Sequence, residues 1–247
     1  MYPLEMSFDE VRVGFIDINN ENLILDEIKF MDLDHTKRRC RELKNKFYLL
    51  SSTKDYILKI NRDRDVNDSE LRQMIEKLYY KQPNIDNIDF PIGYVKDDNN
   101  TIGQIIKYYQ NAKSFKTIIL TEDYEDLQKN IYLDDDSLHN LFLVYLNILE
   151  QIEKLFENNI IYLDIHSGNI VFSQNEVKII DFEPNYIRFK RLKCYYEQII
   201  YNYMRLVNMG LSFYYLDGEL ECVISETSFR DLKRKVKTLE NTVRTFM

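Results

Sequence analysis

The chain has 247 residues, a formal net charge of −8, and a composition that is 45% hydrophobic and 30% charged. That length suits one domain of two lobes or two small domains, and the acidic balance argues against a general nucleic-acid binder. No run reaches the roughly 18 apolar residues of a membrane helix. Met1-Tyr-Pro-Leu-Glu-Met lacks the basic and apolar regions of a signal peptide, so a cytoplasmic protein without a membrane span is expected. Cys40, Cys194 and Cys222 are far apart and form no CxxC pair, which predicts three free thiols rather than a zinc site.

In chain order, residues 11–18 and 28–33 read as short strands. The β-rich runs Phe47-Tyr-Leu-Leu-Ser-Ser and Asp55-Tyr-Ile-Leu-Lys-Ile, with a polar turn between, predict a hairpin. Asn67-Asp-Ser offers capping residues, and Leu71, Met74, Ile75, Leu78 and Tyr79 recur at helical spacing. Residues 92–95 and 102–109 form a second strand pair around the turn-rich Asp97-Asp-Asn-Asn. Residues 117–120 read as a short strand or a segment entering the next helix.

The longest helix signal runs from Ser137 to Asn158, with an apolar stripe from Leu138 to Phe156 that predicts core packing. Ile160-Ile-Tyr-Leu, a polar loop, Ile170-Val-Phe-Ser, the turn Gln174-Asn-Glu and Val177-Lys-Ile-Ile follow and predict a small hairpin after the long buried helix. An amphipathic helix is expected over 192–209, with Gly210 as its C-terminal cap. A last helix should run from Phe229 to the end. Strands thus dominate the first 120 residues and helices the rest, which predicts an α+β fold of two lobes.

One segment carries chemistry. Tyr162-Leu-Asp164-Ile-His166-Ser-Gly-Asn169 is followed by Ile179-Ile-Asp181-Phe-Glu183. Phosphoryl transfer needs a carboxylate beside the acceptor hydroxyl and hard oxygen ligands for Mg²⁺. Asp164 fits the first role; Asn169 and Asp181 fit the second. Four residues separate Asp164 from Asn169, enough for a loop to turn both side chains into one cleft. Gly168 permits a tight backbone there.

Asp164-x-x-x-x-Asn169 with Asp181-Phe182 resembles the catalytic loop and metal motif of the protein-kinase-like superfamily. Its Asp-x-His form is similar to aminoglycoside phosphotransferases, choline-kinase-like enzymes and some protein kinases. The likeness is specific over residues 162–184 and extends in outline from 28 to 209. It implies a single bilobal kinase-like domain, with a β-rich N-lobe over 1–110 and a reduced, mainly helical C-lobe over 111–247. It further implies ATP and Mg²⁺ as cofactors and a hydroxyl-bearing acceptor as partner.

By the same resemblance, Lys59 would contact the α- and β-phosphates. Glu76 on the next helix would pair with it, with Glu70 as second candidate. His166, where Ser/Thr protein kinases carry lysine, would contact the γ-phosphate or hydrogen-bond within its own loop. The expected activity is transfer of the γ-phosphate to a hydroxyl, with protein Ser/Thr favoured over a small-molecule acceptor. A pseudokinase scaffold is the competing class.

The sequence departs from the family in several places. No glycine lies between Gly14 and Gly93, so the Gly-rich phosphate loop is missing. The basic stretch Lys37-Arg-Arg-Cys-Arg reads as a solvated helix face rather than its substitute. Glu183 stands where protein kinases have glycine, and no Ala-Pro-Glu follows. A regulated activation segment is therefore not expected.

Overall fold

The computed structural model describes residues 4–7, 26–27, 45–49, 55–61, 68–81, 85, 88–97, 100–109, 112–115, 135–173, 176–212 and 227–246. The chain is a mixed α+β protein whose elements cluster into two units. One holds 1–111 with 182–185; the other holds 112–181 with 186–247. The strand expectations at 11–18, 28–33 and 117–120, and the basic stretch at 37–41, lie outside the described residues.

The first unit is a six-stranded sheet with one helix. Its strands are β1 (Leu4–Ser7), β2 (Asp26–Glu27), β3 (Asn45–Leu49), β4 (Tyr56–Asn61), β5 (Gly93–Asp97) and β6 (Asn100–Lys107), ordered β1-β5-β6-β4-β3-β2. All neighbours are antiparallel except β1 and β5, which run parallel. Helix α1 (Asp68–Lys81) packs on β5 and β6. Its apolar spacing buries Leu71, Met74, Ile75 and Leu78 against a core that includes Leu58, Phe90 and Ile105. Each such side chain contributes roughly 1.5–3 kcal/mol by leaving water.

The second unit contains β7 (Lys113–Ser114), helix α2 (Asp135–Glu157), β8 (Ile161–Tyr162), β9 (Ile170–Ser173), β10 (Glu176–Ile179), β11 (Ile187–Arg188), α3 (Lys193–Ser212) and α4 (Phe229–Phe246). β9 and β10 form the hairpin, with β7 on the other edge of β9, while β8 pairs with β11. Leu141, Phe142, Tyr145, Ile148, Leu149, Ile152 and Leu155 make the buried stripe of α2. α4 lays Phe229, Leu232, Val236 and Leu239 in the core. It is tied to α2 by Lys233 Nζ to Glu153 Oε2 and by His139 Nδ1 to Glu240 Oε1, each 2.5 Å.

Two helix ends decide where the chain goes next. α2 stops because Asn159 takes the left-handed conformation (φ 56°), and the Ile160 amide turns back to the Leu155 carbonyl at 2.9 Å. Arg191 completes that end, donating to the Phe156 carbonyl at 2.9 Å and the Glu157 carbonyl at 2.6 Å. Gly210 corrects the expected stop of α3. It is buried inside the helix, which continues through Leu211 to Ser212 because Leu211 is fully buried. Among the described residues no helix is long and apolar enough to cross a membrane.

Candidate active site

The loop after β8 is held from several sides within the second unit. The Leu163 amide donates to the Tyr186 carbonyl at 2.9 Å, a continuation of the β8–β11 pairing. The Leu163 carbonyl receives Asn202 Nδ2 of α3 at 2.6 Å. The Tyr162 hydroxyl donates to the Ile180 carbonyl at 2.9 Å. Asp164 therefore follows a residue, Leu163, whose backbone amide and carbonyl are both satisfied by fixed elements.

Its side chain is equally defined. Asn169 Nδ2 donates to Asp164 Oδ2 at 2.7 Å and to the Asp164 carbonyl at 3.3 Å. His166 Nδ1 accepts from the Gly168 amide at 3.0 Å, which makes His166 the cap of the short 3-10 turn Ser167–Asn169. A neutral His166 must then carry its proton on Nε2, which lies 3.5 Å from Asp164 Oδ1. His166 thus makes a hydrogen bond within its own loop through Nδ1. A Cβ on residue 168 would come within 3.0 Å of the His166 ring, so this turn requires glycine for close approach.

The hairpin then returns the chain to Asn169. The Ile180 amide donates to the Asn169 carbonyl at 2.9 Å, which ties the residue before Asp181 to the residue five after Asp164. Gln151, buried on α2, sets the height of β10. Its Nε2 donates to the Val177 carbonyl at 2.6 Å and its Oε1 accepts the Ile179 amide at 3.2 Å. Asp181 has φ 67°, a left-handed backbone that costs a non-glycine residue on the order of 1 kcal/mol and concentrates at functional sites.

The donor set suits a hard cation. Both hydrogens of the Asn169 amide point at Asp164, so Oδ1 is left as the acceptor, and Asp181 supplies a carboxylate. Among the described residues no group of three His, Cys, Asp or Glu side chains gathers around a common point. Mg²⁺ is usually held by one or two carboxylates with water and phosphate oxygens, a shell that the Asp181 carboxylate could enter and that the Asn169 amide oxygen could join.

In the first unit, Lys59 lies on β4 opposite Gln104 of β6, so both side chains share one face of the sheet. Each is only 1% exposed. Lys59 Nζ meets Glu183 Oε1 at 2.5 Å. Gln104 Nε2 donates to the Phe182 carbonyl at 3.2 Å, and the Phe182 ring stands edge-on to Phe90 at 5.1 Å. Glu76 corrects the expectation of a helix-borne partner: it accepts from Arg72 Nε at 2.9 Å, one turn earlier on α1. The half-exposed Glu76 and Arg72 satisfy each other at i, i+4, whereas the buried ammonium of Lys59 has a carboxylate from the chain after Asp181. Glu70, the second candidate, is exposed.

Gln104 Oε1 is buried with no hydrogen-bond partner. The Phe182 carbonyl explains the orientation, since a flipped amide would set two oxygens against each other. Sequence reading had no signal for Gln104. Gln151 and Asn202 did leave one: each is a polar residue inside an apolar helical stripe, between Ile148 and Leu155 and between Ile199 and Leu206.

No protein-family model matches this sequence, and a comparison with curated proteins finds none similar to it.

Proposed function

We propose that the chain is an ATP- and Mg²⁺-dependent phosphotransferase with a bilobal protein-kinase-like fold, which moves the γ-phosphate to a hydroxyl. The observation that carries this reading is the Asp164–Asn169 constellation. A part-exposed carboxylate is held by an amide that gives one hydrogen to it and the other to the carbonyl of the same residue, and keeps its oxygen for a cation. The strained Asp181 follows, reached through the Ile180 amide on the Asn169 carbonyl. A loop chosen only for turning the chain needs neither the Asn–Asp pairing nor a left-handed aspartate.

In this mechanism Asp164 orients the acceptor hydroxyl and takes its proton as oxygen attacks the γ-phosphorus. The new O–P bond forms while the bond from phosphorus to the β–γ bridging oxygen breaks, and ADP leaves. Asn169 and Asp181 would hold Mg²⁺, which supplies charge neutralisation to the phosphates. Lys59 donates to the α- and β-phosphates. The His166 Nε2 proton faces Asp164 and helps to keep its carboxylate oriented. The reading leans slightly to Ser or Thr on a protein as acceptor, because the sequence after the metal motif shows no insertion of the kind that a small-molecule site would need.

The test uses γ-labelled ATP with Mg²⁺, a panel of protein and small hydroxyl acceptors, and the variants Asp164→Ala and Asp181→Ala. Loss of the proton acceptor should lower transfer by roughly 10²–10⁴-fold. ATP binding without any Asp164-dependent transfer or hydrolysis would overturn the enzyme reading in favour of a scaffold.

A further inference from the structure

We infer that Glu183 is the residue that positions Lys59 for the phosphates, a task that the resemblance assigns to a glutamate on the helix. This role rests on the phosphotransfer reading above.

Three observations point to it. Lys59 is 1% exposed and its ammonium meets Glu183 Oε1 at 2.5 Å, a charge-assisted contact inside the sheet face. Glu76, on the helix that should supply the partner, is turned to Arg72 at 2.9 Å. The peptide that carries Glu183 is itself anchored: the Phe182 ring packs on Phe90 and the Phe182 carbonyl is bound by Gln104, the cross-strand neighbour of Lys59. A carboxylate on an anchored backbone can set a lysine's direction, whereas one on a mobile chain cannot.

The arrangement has a consequence for the metal motif. Asp181 and Glu183 are two residues apart, so one tripeptide carries a metal-binding carboxylate and the lysine's partner. Glycine at 183, the usual residue of protein kinases, could not do this. The carboxylate that departs from the family pattern at 183 thus takes over from the one that is turned away at 76.

Glu183 acts through Lys59, so its removal should be read on the phosphates. The experiment measures binding of Mg²⁺–ATP and of adenosine by calorimetry to wild type, Glu183→Gln and Glu76→Gln. Glu183→Gln should weaken ATP by about tenfold or more, the scale of one charge-assisted contact, and leave adenosine unchanged. The loss in Glu76→Gln should be the smaller. Raising Mg²⁺ should not restore ATP affinity; restoration would make Glu183 a metal ligand and overturn the inference. An ATP affinity that survives Glu183→Gln, or a larger loss in Glu76→Gln, would also overturn it.

Urea unfolding of Lys59→Met, Glu183→Gln and the double variant supplies a readout without nucleotide. The single losses should add to more than the loss in the double variant. Strict additivity would mean that the pair is not coupled. Failure of wild type to bind ATP, with that coupling intact, would sink the phosphotransfer reading and the role with it, while leaving the ion pair established.

Discussion

Asp181 offers the sharpest test of the site's backbone. At φ 67° an alanine is strained, because its Cβ crowds the neighbouring carbonyl, and glycine is not. Asp181→Ala and Asp181→Gly lose the same carboxylate and everything that it touches, so their difference isolates the backbone. Left-handed alanine costs about 1–2 kcal/mol, and the greater freedom of unfolded glycine returns about 0.5–1 kcal/mol of that. The glycine variant should therefore be the more stable by about 1 kcal/mol. With a urea slope of about 2 kcal/mol/M, the midpoints should differ by about 0.5 M. Circular dichroism suits the measurement, since the chain has no Trp. Both variants should fail to transfer phosphate. Equal midpoints, or a more stable alanine variant, would refute the left-handed assignment. A glycine variant that retains transfer would refute the role of the carboxylate.

Gln151→Ala should cost about 2–4 kcal/mol, because it strands the Val177 carbonyl and the Ile179 amide in the core; a loss under 1 kcal/mol in urea unfolding would show that β10 is held otherwise. Asn202→Leu should lower the turnover number more than it raises the KM for ATP, since it frees the Leu163 carbonyl beside Asp164; the reverse split would argue against loop positioning. Acid unfolding should respond to the cap of α4, where the Ser228 hydroxyl holds the Asp231 carboxyl below its usual range. A lowered folded value means stability that is present above the ordinary carboxylate range and lost as pH falls through it. Ser228→Ala should flatten that acid limb, and an unchanged limb would refute the cap. Burial, with Tyr145 beside it, pushes the Tyr203 phenol well above its ordinary range. A raised folded value leaves stability intact below about pH 10 and erodes it above; Tyr203→Phe should reduce that alkaline loss, as urea midpoints between pH 8 and 11 would report.

Much of the local structure was legible in the sequence. The stripe from Leu138 to Phe156 lies within α2, the runs after Phe47 and Asp55 pair as β3 and β4, and the loop after Tyr162 turns where Asp, Ser and Gly said it would. Periodicity and turn chemistry are short-range properties, so they survive without knowledge of the partners. What failed was long-range. Gly210 read as a stop because glycine ends isolated helices, yet burial of Leu211 carries α3 onward. β11, the partner of β8, left no signal, since a two-residue strand has no pattern of its own. The clamps from Gln151 and Asn202 were visible only as polar breaks in apolar stripes.

The same division holds at the site. The sequence by itself nominated the candidates: Asp164, Asn169 and Asp181 from residue type, order and spacing, and Lys59 from the family resemblance. Only the tertiary structure decided what each side chain does with its hydrogens and charge. It turned the Asn169 amide onto Asp164, set His166 on its own loop and gave Asp181 its left-handed backbone. It also gave the lysine on β4 to Glu183 rather than to Glu76. Spacing along one chain constrains which groups can share a loop. Which of several carboxylates meets a buried ammonium depends on the packing of Phe182 against Phe90 and on a strand register 45 residues away, which no local pattern carries.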